Sequence, residues 1–142
     1  MMDWTRPSRT SFALLAASAV LVAILGYFMP DIREALFFKP QRTRVETAVL
    51  HLAEREKAFH RAKGHFEAFG AANMGALQTL AVDLQSWPSD NFQFDARPTP
   101  DKGLRIRALP RAEAVQGLHV GAQMFVAELA PSGGVSRSGW VP

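Results

Sequence analysis

The chain has no cysteine. That excludes disulfides, thiol nucleophiles and thiolate metal sites, and it leaves a small domain to hold itself together by packing alone. An excess of one charge is also missing: 16 Lys and Arg against 13 Asp and Glu leave a net charge of +3. The basic residues are interleaved with acids rather than clustered, so the electrostatic footprint of a nucleic-acid binder is absent. The four histidines are His51, His60, His65 and His119. None forms an HExxH motif or an i, i+4 pair on a helix, and no metal or cofactor is expected. Ser132, Ser136 and Ser138 lie in a glycine-rich C-terminus without a GxSxG elbow. Gly133, Gly134 and Gly139 read as turn and edge-strand glycines, and Asp83, Asp90 and Asp95 read as turn caps rather than an acid–base pair. The expectation is that the chain is not an enzyme and takes no small-molecule substrate.

Charge is missing altogether from one stretch, Phe12 to Met29, FALLAASAVLVAILGYFM. As a helix rising about 1.5 Å per residue it reaches ~27 Å, close to the roughly 30 Å of a bilayer's hydrocarbon core. Trp4 precedes it and Tyr27 and Phe28 close it, where amphipathic rings favour the headgroup layer. A cleaved signal peptide is the competing reading, with Ala17-Ser18-Ala19 as a mimic of an A-x-A site. Those small residues interrupt the run early, and cutting there leaves an apolar new terminus. The segment is therefore expected to be retained as a single membrane span. Ala16, Ala19, Ala23 and Gly26, at steps of three, four and three, draw a seam of small residues down one side, a pattern that lets helix backbones approach closely in lipid.

The rest divides by composition and period. Residues 1–11 form a short tail and 30–40 a juxtamembrane connector, in which Pro30 and Pro40 are expected to kink or end helices. Leu36, Phe37 and Phe38 are suited to dip into the membrane interface. Residues 41–142 make a small α+β domain. Gln41–Lys63 reads as an amphipathic helix with the stripe Val45, Ala48, Val49, Leu52, Phe59 and Ala62, with Glu54, Arg55, Glu56, Lys57 and Arg61 on the remainder. Gly64 is its expected C-cap. A second helix is expected over 71–85, with Leu77, Leu80, Ala81 and Leu84 on one face. The period then changes to two, and strands are expected near 92–97, 103–109, 122–130 and 135–140, with 110–121 irregular. An antiparallel sheet with one polar face needs a cover for the other, and the long helix is the candidate. Arg105 and Arg107 point the same way from one strand, toward solvent or toward an anionic partner.

Several of these segments carry a resemblance. Phe59-His-Arg-Ala-Lys-Gly64-His-Phe66 resembles the pilin pattern of an aromatic, a short spacer and a Gly-x-aromatic after a long helix. Asn91-Phe-Gln-Phe, Leu104-Arg-Ile-Arg-Ala108, Leu129-Ala-Pro-Ser-Gly-Gly134 and Ser138-Gly-Trp140 resemble the strand and hairpin order of the pilin head. The plan is similar to that of type IV pilin-like, or pseudopilin-like, single-span proteins. It departs from them at the leader: Ser11 stands where a prepilin has glycine, and Ala16 stands where the mature fifth residue is glutamate. The resemblance implies an anchor helix continuing into an amphipathic half that packs on a small sheet, and it carries over no functional residue. It implies a membrane-anchored structural or assembly protein, either pilin-like or a subunit of a pilus or secretion platform. Its partners would be the lipid bilayer and other transmembrane helices. The expected location is a bacterial inner membrane with the C-terminal domain in the periplasm, although Arg33, Lys39, Arg42 and Arg44 tilt the positive-inside count the other way. An accessory single-span subunit of a respiratory or photosynthetic complex is the alternative.

Overall fold

The computed structural model describes residues 9–70, 72, 75–82, 87–117 and 120–142. Its helices are α1 (Arg9–Arg33), α2 (Lys39–Lys63), α3 (Gly75–Thr79) and α4 (Ala112–Gln116). Its strands are β1 (Phe92–Pro98), β2 (Leu104–Pro110), β3 (Met124–Leu129) and β4 (Val135–Val141). The chain forms two compact units, with the boundary between Leu36 and Phe37.

The first unit is α1, with no buried residue. Pro30 lies inside it rather than ending it. Proline cannot donate to the carbonyl four residues back, and the following Glu34–Phe38 segment is π-helical. Pro40 also fails to break the helix: it falls in the first turn of α2, where a missing N–H costs least.

The second unit is an α+β domain. Its sheet has the order β1-β2-β3-β4, all antiparallel. Alternation places Phe92, Phe94, Ala96, Leu104, Ile106, Ala108, Phe125, Ala127 and Leu129 on the inner face, all buried. Helix α2 covers that face with Val45, Val49, Leu52 and Ala53, each fully buried. Burying a valine or leucine in this way stabilises by roughly 1.5–3 kcal/mol. Ala48 and Phe59 pack at the margin. The stripe is narrower than the sequence spacing implies at its end, because Ala62 is exposed. It also includes a residue expected in solvent: Glu56 is fully buried. At three residues beyond Ala53 and four beyond Leu52 it falls on the packed face whatever its polarity. Gly64 caps α2 in the left-handed conformation (φ 81°), and its N–H donates to the His60 carbonyl.

Of the helix expected over 71–85, the described residues show α3 at Gly75–Thr79; residues 71, 73–74 and 83–86 lie outside the described residues. Helix α3 stops at Thr79 because Ala81 turns into the left-handed region at φ 55°. The Ala81 N–H then donates to the Gln78 carbonyl and the Val82 N–H to the Leu77 carbonyl, the two bonds of a Schellman close. Leu77 and Leu80 are buried; Leu84 lies outside the described residues. Residues 110–121, expected to be irregular, contain α4, which buries Ala114. The β1–β2 hairpin needs Gly103, where a Cβ would stand 2.2 Å from the Leu129 carbonyl oxygen.

Candidate functional site

Two surfaces are candidates for function. The first is α1. An 18-residue window of its sequence has a mean hydropathy of 2.3, and none of that window is buried. The helix is long and apolar enough to span a membrane. Ala16, Ala19, Ala23 and Gly26 are all exposed, and at about 100° per residue they share an arc of roughly 80°. A Cβ built on Gly26 would meet nothing within 4 Å. Ser18, which lies outside that arc, donates its hydroxyl to the Leu14 carbonyl at 2.7 Å, which satisfies it inside its own helix. Of the connector residues, Leu36 and Phe37 are exposed, and Phe38 is half-buried.

The second surface is the outer face of the sheet, built by the residues that alternate with the core. In the register, Arg97 stands opposite Arg105, Arg105 opposite Glu128, and Glu128 opposite Arg137. Asp95, Arg107, Val126 and Gly139 form the next row. The two arginines singled out from sequence are ion-paired. Arg105 Nε donates to Glu128 at 2.8 Å, and Arg107 makes a two-pronged contact with Asp95, at 2.9 and 2.5 Å. Arg97 Nε reaches the same Asp95 at 3.2 Å. The hydrogen bonds that the Arg107 guanidinium donates to Asp95 hold it above its ordinary pKa. Asp95 is buried beneath its two arginines, so an ionised carboxylate is tolerated there by pairing. Arg105, Arg107, Val126, Arg137, Gly139 and Val141 line a shallow depression of about 440 Å³ on this face.

On the other side of β4, Trp140 is fastened to α2. Its indole N–H donates to Glu46 at 2.5 Å, and the Arg42 guanidinium sits 5.5 Å from the ring centroid. Phe125 meets the ring edge-to-face at 5.3 Å. Sequence reasoning placed β4 as a short polar strand and missed this clamp; the outward signal was Trp140 in register with inward-pointing Phe125.

A third feature is Glu56. One carboxylate oxygen accepts the Glu67 N–H at 2.9 Å, and the other has no hydrogen-bond partner. Burial, partly offset by that hydrogen bond and reinforced by Glu67's charge, raises its pKa to about 7. The bond ties the segment after α2 back onto the helix. The histidines do not gather around it. His51 is exposed, His60 stacks on Phe66 at 4.3 Å, and His65 meets Phe59 edge-on at 5.4 Å. His119 and Asp83 lie outside the described residues. Asp90 is exposed in the turn before β1, and Ser132 and Ser136 are exposed near the β3–β4 turn.

No protein-family model, curated protein or solved structure matches the chain.

Proposed function

We propose that the chain is a membrane-anchored structural or assembly protein, a pilin-like subunit or a subunit of a pilus or secretion platform. Its anchor would hold it in a bacterial inner membrane, with the C-terminal domain on the periplasmic side. The observation that carries this reading is α1: a helix of apolar residues, none of them buried, long enough to span a membrane. Such a surface calls for lipid and neighbouring helices as its solvent. The pilin-like plan is supported by an α2 that covers one face of an antiparallel sheet in the order the resemblance implies.

The seam supplies the test. Leucine at Ala19 keeps the segment apolar but pushes apart two backbones that meet there; leucine at Ala17, about 100° round the helix, does not. After extraction in mild detergent, the parent should copurify with filament or secretion components, and Ala19→Leu should recover less of them than Ala17→Leu at equal membrane insertion. Protease added to spheroplasts should degrade the C-terminal domain. Copurification with a haem- or pigment-bearing complex overturns the assembly reading, and full protection from protease overturns the orientation.

A further inference from the structure

We propose that β4 is an acceptor edge for an extended acidic segment of another protein, which adds a fifth strand to the sheet and pairs a carboxylate with Arg137. The inference concerns the α+β domain alone and holds whatever α1 assembles with. It begins with a difference between the two edges of the sheet. The β1 edge is occupied: Phe69 and Ala96 exchange backbone hydrogen bonds of 3.0 and 2.9 Å across it. It also ends in Pro98, which has no N–H to offer. Among the described residues nothing pairs with the outer side of β4. Sheets usually blunt a free edge by keeping it short or twisting it away, yet β4 runs seven residues, and its register shift lies at one end, beside Leu129.

Charge says what fits. The row Arg97, Arg105, Glu128, Arg137 crosses all four strands and ends on a cation. Glu128 is engaged by Arg105 at 2.8 Å and Arg97 by Asp95 at 3.2 Å. Arg137 has no carboxylate of its own among the described residues. The next rung that completes the row is an anion on an incoming strand, since opposite charges directly across a strand pair stabilise and like charges do not. Strand β4 contains no acidic residue, so a second copy of β4 offers Arg137 no counter-charge. One row over, Gly139 leaves a notch: a Cβ there would meet nothing within 4 Å. Val126 and Val141 border it within the depression of about 440 Å³. An apolar side chain two residues from the partner's carboxylate lies over that notch, because alternate residues of a strand share a face. The edge is tied to α2 before anything binds, since the Trp140 indole N–H donates to Glu46 from beneath. An edge held in its bound shape loses little freedom on association. Main-chain hydrogen bonds then supply affinity, and the carboxylate and apolar positions supply selectivity.

The test uses the full chain in detergent micelles and a labelled seven-residue peptide, Thr-Glu-Thr-Val-Thr-Glu-Thr with blocked ends. Lysine replaces glutamate in one control, and the backbone is N-methylated in another. Fluorescence anisotropy should show the glutamate peptide binding more tightly than the lysine peptide, and the N-methylated peptide not binding. Hydrogen exchange should slow at β4 amides when the glutamate peptide is present. Arg137→Glu, an exposed change that leaves the core untouched, should weaken the glutamate peptide by about five- to tenfold and reverse the preference. Equal affinity for the glutamate and lysine peptides, or protection that avoids β4, overturns the proposal. So does protection of β4 that rises with protein concentration alone, which would make the occupant a second copy.

Discussion

Helices α1 and α2 are both 25 residues long, yet they meet opposite surroundings. The more apolar of the two, α1, buries nothing, while the more polar α2 buries Val45, Val49, Leu52, Ala53 and Glu56. Apolar content alone therefore does not say where a helix packs; the distribution around the axis does. In α2 the apolar residues hold one stripe, which fits one covering face of a sheet. In α1 they go all the way round, broken only by a narrow seam, which fits lipid on most sides. The contrast can be attacked from either helix.

The largest effect is expected from α1. Replacing Val20 and Leu21 together with arginine puts two charges at the middle of the apolar run, each costing roughly 2.5–3.5 kcal/mol on insertion scales. The variant should leave the membrane fraction, while hydrogen exchange at the β2 and β3 amides stays as slow as in the parent. If it remains in the membrane, lipid is not the surrounding of α1. The converse change is Leu52→Ala in α2, whose side chain is fully buried against the sheet. It should cost about 3–5 kcal/mol of domain stability in denaturant unfolding followed by fluorescence of buried Trp87, with membrane partition unchanged. A loss below about 1 kcal/mol would mean that the cover of α2 on the sheet is loose.

The parts legible in the sequence were those governed by period. Alternation in Phe92-Gln-Phe-Asp-Ala96 and Leu104-Arg-Ile-Arg-Ala108 gave two strands and their inward faces, and the strand ends differ from the expectation by a residue or so. Spacing gave the α2 stripe through Val45, Val49 and Leu52. What was not legible depended on contacts distant in sequence or on unusual backbone. Ala81 ends α3 at a positive φ that alanine rarely adopts, and no residue type announces it. Pro30 and Pro40 carry the usual break signal, but Pro30 lies inside α1 and Pro40 falls in the first turn of α2. Arg105 and Arg107 looked like free cations because Glu128 and Asp95 come from neighbouring strands. The open β4 edge likewise follows from strand order, which alternation does not encode.

Glu56 gives the finest probe of the contrast, because α2 buries an ionisable group and α1 buries none. Burial disfavours the carboxylate, and its pKa rises from an ordinary 4.5 to about 7. The folded state therefore holds this proton more tightly than the unfolded chain does. The resulting stability is fully present below pH 4.5, declines as pH rises from there, and is lost above about pH 7. At 1.36 kcal/mol per pKa unit the swing amounts to about 3 kcal/mol. Glutamine at this position keeps an oxygen to accept the Glu67 N–H, fits nearly the same volume, and has no proton to lose. Glu56→Gln should thus match the parent near pH 4 and exceed it by about 3 kcal/mol at pH 8. The measurement is the difference in unfolding free energy between the two proteins across that range, in which the titrations of groups not coupled to Glu56 cancel. Two curves that run parallel from pH 4 to 8 would show that Glu56 is solvated in the folded chain and that the packed face of α2 is wetter than its geometry indicates.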